Sequence, residues 1–178
     1  MMRRFLLVDD EAAILSSLQR ALRQMVDEET FEFELFTNPI EAIARCGEIP
    51  FDVVISDNRM PQMFGVDFFR VVKEIQPNAM RLLLTASTEF ETIMGAVNDA
   101  QVFKYLVKPW VNAELEETIK LALSARDALV EDQRLAELAR RDLNAKSPIE
   151  KEIIALEEAE PGITKVDWGP DGSVILGK

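Results

Sequence analysis

The run from Phe51 to Pro61 constrains this chain more than any other stretch. Val53, Val54 and Ile55 form a β-branched block, Ser56 and Asp57 end it, and Asn58-Arg59-Met60-Pro61 turns away. An apolar run without polar alternation suits a strand buried on both faces of a parallel sheet. Parallel strands need crossover connections, so other segments must supply neighbouring strands and helices to cover both faces. The carboxylate at the strand's C-terminal end falls where open α/β sheets place their ligands. Taken alone, an Asp after an apolar run is more often a turn or cap residue.

The other segments answer that demand. Arg3 to Val8 reads as a short strand ending in Asp9-Asp10-Glu11. Ile14, Leu18, Leu22 and Met25 repeat at helical spacing, so a helix follows from Ala12. Phe31 to Phe36 alternates as a strand does. Asn38-Pro39 opens a helix that stops near Gly47. After Asp57 come a loop to Gly65, a helix from Val66 to Ile75, and a strand from Met80 to Thr85. A weaker helical pattern covers Thr88 to Asn98. A fifth strand runs from Val102 to Val107, and Asn112 caps a helix from Ala113 onward. Five strands alternating with five helices imply a doubly wound five-stranded parallel α/β sheet over residues 1–125.

That topology gathers chemistry. The C-terminal ends of parallel strands share one edge of the sheet. Asp9 and Asp10 end the first strand, Asp57 the third and Thr85 the fourth, and Lys108 follows the fifth. Clustered carboxylates repel one another unless a cation holds them. Hard oxygen ligands on a partly open site suit Mg²⁺, which leaves room for phosphate oxygens. A carboxylate so placed can attack phosphorus to give an aspartyl-phosphate. Asp9-Asp10 as a helix cap pair, Thr85 as a plain strand residue and Lys108 as a solvated turn residue are the bland readings of each position taken singly.

Residues 3 to about 125 resemble the receiver domain of two-component response regulators. The matching residues are Val8-Asp9-Asp10-Glu11, Ser56-Asp57-Asn58-Arg59-Met60-Pro61 with Gly65, Leu84-Thr85-Ala86, and Tyr105-Leu106-Val107-Lys108-Pro109-Trp110. The resemblance implies a flavodoxin-like sheet with Asp57 as phosphoacceptor. It implies Mg²⁺ on Asp9, Asp10, Asp57 and the main-chain carbonyl of Arg59. Thr85 and Lys108 would bind the phosphoryl group, the Lys108-Pro109 bond would be cis, and Tyr105 would be the aromatic switch partner of Thr85. The implied donor is a sensor histidine kinase or a phosphotransfer protein. Phe64 departs from the pattern, in which an acidic residue commonly precedes the glycine.

Composition narrows the classes further. The net charge of −12 argues against a nucleic-acid surface. No histidine occurs, so a phospho-histidine donor must be another molecule. The single cysteine, Cys46, allows no internal disulfide. No long apolar run marks a membrane span, and a cytoplasmic location follows as the expectation. A phosphatase that uses a strand-end Asp is disfavoured because Asp9-Asp10-Glu11 lacks two Asp separated by one residue. A Rossmann domain is disfavoured because no glycine stands in the first strand–helix turn. A phosphorylation-independent scaffold or dimerisation module of the same fold is the remaining alternative.

Residues 126–178 form an extension of no recognised family. The last receiver helix continues to about residue 145 along a thin seam of Leu115, Ala122, Leu129, Ala136 and Leu143. A short helix spans 148–158 and a hairpin 163–176, turned at Gly169-Pro170-Asp171-Gly172. A helix extended past the sheet offers a surface to a protein output target or to a second copy as a homodimer; the bland reading is a long solvated helix packing on its own domain.

Overall fold

A computed structural model of the chain describes residues 2–25, 31–86, 100–145, 148–159, 161, 167–168 and 174–175. The chain divides into two compact units, residues 1–130 and 131–178. The expected helix over Thr88–Asn98 lies outside the described residues.

The first unit is built on one parallel sheet. Its strands are β1 (Arg3–Val8), β2 (Phe31–Phe36), β3 (Val53–Asp57), β4 (Met80–Ala86) and β5 (Lys104–Lys108), in the order β2-β1-β3-β4-β5. The described helices are α1 (Ala12–Met25), α2 (Pro39–Cys46), α3 (Gly65–Ile75) and α4 (Asn112–Ala145). The sequence boundaries shift by a residue or two at several ends, the usual latitude of fraying termini.

Strand alternation divides the core in two. Leu6, Val8, Val54 and Leu83 point to one face and pack with Ala42 and Cys46 of α2 and Val66, Phe68, Phe69 and Val72 of α3. Phe5, Leu7, Val53, Ile55, Leu82, Leu84 and Leu106 point to the other. They pack with Leu15, Leu18 and Leu22 of α1 and Leu115, Ile119 and Ala122 of α4. Every residue of β3 is buried, as its β-branched run requires. Each large apolar side chain so enclosed contributes about 1.5–3 kcal/mol.

Polar side chains tie the loops to this frame. Asn38 caps α2 by accepting from the Ile40 N–H at 2.9 Å, and Pro39 occupies the first turn. Gln76, just past α3, accepts from the Phe51 N–H at 2.8 Å. Its amide also donates to the carbonyls of Cys46 and Ile49, both at 2.6 Å. One side chain thereby joins the end of α3 to the loop that launches β3. Arg81 is buried and donates to the Ala79, Ala100 and Gln101 carbonyls. Burial lowers the pKa of its guanidinium.

The division between units falls within α4. In the second unit, α5 (Pro148–Ala159) leaves Ile149, Ile153 and Leu156 exposed at positions i, i+4 and i+7. Two short strands, β6 (Asp167–Trp168) and β7 (Val174–Ile175), pair antiparallel. They fall inside the expected hairpin; the rest of that hairpin lies outside the described residues.

Candidate functional site

The C-terminal edge of the sheet positions the polar residues. Register places Val8 beside Ser56 and Asp57 beside Leu84, so the ends of β1 and β3 meet at one level. Asp9 and Asp57 are both buried there. Lys108, at the end of β5, lies between them: its Nζ is 2.6 Å from Asp9 Oδ2 and 2.5 Å from Asp57 Oδ1. The Lys108-Pro109 peptide is cis, as the resemblance implied.

The second oxygen of each carboxylate is held by the backbone. Asp9 Oδ1 accepts from the Glu11 N–H at 2.9 Å, and Asp57 Oδ2 accepts from the Arg59 N–H at 2.6 Å. Both are Asx-type turns, closed onto the N–H two residues on. The same side chain closes a turn just ahead of α1 and meets the ammonium; its backbone partner is the Glu11 N–H, not an N–H of the first turn of α1. These two N–H groups were missed in the sequence, although the Asp-x-x spacing was there to suggest them.

Burial and charge compete in this pocket. Desolvation raises the Asp9 pKa, overcoming the downward pull of Lys108 and of the Glu11 N–H. For Lys108 desolvation pulls the pKa down, but the hydrogen bonds it donates to Asp57 and Asp9 together outweigh it and hold the ammonium above its ordinary value. Two desolvated carboxylates have one positive charge to share.

Gly65 closes the floor of the site. Its N–H donates to the Asn58 carbonyl at 2.8 Å, and the Asn58 N–H donates to the Leu84 carbonyl at 2.9 Å. A Cβ on Gly65 would lie 2.3 Å from the Asp57 carbonyl oxygen and 2.8 Å from Leu83 Cδ1. Only a residue without a side chain lets α3 start so close to the backbone of Asp57.

The remaining expected residues are placed less centrally. Thr85 is buried one residue beyond the register partner of Asp57, and its hydroxyl donates to the Ala86 carbonyl at 3.2 Å. Tyr105 lies on β5, opposite Leu83, and is turned outward with 36% of its surface exposed. Asp10 and Arg59 are exposed. Of the three expected carboxylates, Asp9 and Asp57 share the Lys108 ammonium, and Asp10 follows Asp9 at the exposed rim. Among the described residues no three acidic or thiol side chains are grouped closely enough to hold a metal ion. The donor chemistry still fits a small divalent cation: two buried, convergent carboxylates offer hard oxygens, and a cationic group already sits between them.

Residues 5–120 match the family described as Response regulator receiver domain. The chain belongs to that family. Among its curated relatives is the hydrogenase transcriptional regulatory protein HoxA of Cupriavidus necator, 36% identical over 121 residues, or 68% of this chain. HoxA of Bradyrhizobium diazoefficiens is 33% identical over 153 residues, or 85% of this chain. The chain spans 24% and 30% of the length of those two regulators. Among solved structures, the chemotaxis response regulator CheY4 of Vibrio cholerae shares 29% identity at a TM-score of 0.60. That match covers 69% of this chain and all of CheY4. The match to the receiver family and the β2-β1-β3-β4-β5 sheet bear out the expected receiver fold. No helix among the described residues is long and apolar enough to cross a membrane.

Proposed function

We propose that this receiver accepts a phosphoryl group on Asp57 from a sensor histidine kinase or a phosphotransfer protein. The observation that carries the reading is the convergence of Asp9, Asp57 and Lys108 in one half-buried pocket, with Nζ within 2.6 Å of both carboxylates. The donor histidine must come from another molecule, because this chain has none. Asp57 is the nucleophile: its carboxylate oxygen bonds to phosphorus as the donor's P–N bond breaks. Lys108 then turns its charge to the new phosphoryl oxygens, and the Thr85 hydroxyl donates to another of them.

Asp9, Asp10, Asp57 and the main-chain carbonyl of Arg59 would hold Mg²⁺. Bound there, the ion neutralises the phosphoryl charge that the buried carboxylates would otherwise repel. Asp9 would then be shared between that ion and Lys108, leaving the ammonium for the phosphoryl oxygens. Thr85 and the outward-facing Tyr105 would relay the change to the surface around β5. The output is a contact with a protein partner, or self-association through α4 and its continuation, in a cytoplasmic protein without catalytic turnover of outside substrates.

The test is incubation with acetyl phosphate or phosphoramidate, with and without Mg²⁺, followed by mass spectrometry of the intact chain. An acid-stable, base-labile adduct that needs Mg²⁺ and vanishes in Asp57→Asn supports the reading. No Mg²⁺-dependent adduct on Asp57 sinks it. Binding of a protein partner equally to wild type and Asp57→Asn would favour the scaffold alternative.

A further inference from the structure

At the opposite end of β1 and β3, roughly 20 Å from the pocket by strand length, stands a second charged cluster. Asp52, buried just before β3, accepts from the Arg4 N–H at 2.7 Å through Oδ2. Its Oδ1 lies 3.3 Å from Arg3 Nη1 and 2.9 Å from Arg126 Nη1. Arg3 grips Asp127 with both arms, at 2.8 and 2.6 Å. Arg126 Nη1 is also 3.8 Å from Asp127 Oδ1. Two strand roots and one helix therefore share four alternating charges.

The position of this cluster on α4 decides its meaning. The buried apolar contacts of α4 are Leu115, Ile119 and Ala122, with Leu123 partly buried against the same core. Apolar packing thus ends one turn before the charged pairs begin. An isolated surface pair adds little, but a bidentate Arg pair inside a network around a buried Asp is the geometry in which such contacts count.

We propose that Arg3, Asp52, Arg126 and Asp127 form an electrostatic lock that fixes the middle of α4 to the N-terminal ends of the strands whose other ends carry Asp9 and Asp57. The lock extends the helix's attachment by a full turn beyond its apolar footing. Breaking it lets the helix hinge from Leu123 onward while the sheet stays intact. The lock and the pocket are held by separate contacts, so the lock does not depend on phosphoryl transfer.

Amide hydrogen exchange on the full chain tests it, with residues 115–122 of the same helix as the internal reference. Asp127→Asn and Arg126→Gln each remove one arm at or near the surface. Asp132→Asn removes an equal charge five residues further on and serves as control. Exchange at residues 124–130 is expected to accelerate at least tenfold in the two lock variants, with residues 115–122 and the control within about twofold of wild type. Equal acceleration in both stretches would show general destabilisation and overturn the lock. So would unchanged exchange at 124–130, or an Asp132→Asn effect as large as that of Asp127→Asn.

Discussion

Lys108 carries most of the electrostatic burden of the pocket. Replacing it with Met leaves two buried carboxylates facing each other with no cation. The loss is expected to be about 1–3 kcal/mol at neutral pH, in the range for stranding a buried polar group. The sign of the pH dependence follows from Asp9. Its carboxyl already holds its proton above the ordinary value because it is buried, and the variant removes the ammonium that pulled it back down. A carboxyl whose folded pKa lies above its unfolded one gains stability as pH falls through the folded value. Thermal melts of Lys108→Met should therefore rise from pH 7.5 toward pH 5 relative to wild type. In wild type the lysine's own contribution is present at neutral pH and lost as pH climbs past its ordinary value near 10.5. Gly65→Ala is a steric counterpart, its Cβ pressing on the Asp57 carbonyl. Urea denaturation should show a loss of about 1–3 kcal/mol, typical of overpacking. Asp9, Asp57 and Lys108 were legible in the sequence because parallel strands put their C-terminal ends on one edge. The sharing of one lysine by two acids was not, since spacing along the chain does not say which charge a buried carboxylate will choose.

The elements were legible where one force decides them. β3 announces itself through Val53, Val54 and Ile55, and α2 through Asn38 and Pro39. What escaped is what long-range contacts decide. Nothing local marks Gln76 as the residue that satisfies Phe51, Cys46 and Ile49, which lie 25, 30 and 27 positions away. Gln76→Ala strands the Phe51 N–H beside the most buried strand of the sheet. Equilibrium urea unfolding is expected to report a loss of about 1–3 kcal/mol, against little change for Gln62→Ala on the exposed loop. The Arg3–Asp52–Arg126–Asp127 cluster escaped for the same reason: Arg3 bonds partners 49 and 124 residues away, and each member alone reads as a solvated charge.

At the scale of the molecule, the receiver's core is complete within residues 1–130: each apolar residue of α4 that it uses lies at or before Leu123. A chain ending at Val130 should fold cooperatively and melt within a few degrees of the full chain. A much lower, broad melt of the shortened chain would show that the extension supplies core stability. Beyond that point α4 exposes Leu135 and Leu138. If self-association runs through them, Leu135→Glu/Leu138→Glu should render the full chain monomeric in sedimentation velocity with its receiver melt unchanged. One helix that serves first as a core element of the receiver and then continues beyond Val130 has a mechanical corollary, because rotation about its axis is set by residue count. One alanine inserted after Val130 turns everything downstream by about 100°, while seven bring Leu135 and Leu138 back to within roughly 20° of their starting azimuth. Any output that depends on the azimuth of Leu135 and Leu138 should then fail with one inserted residue and recover with seven.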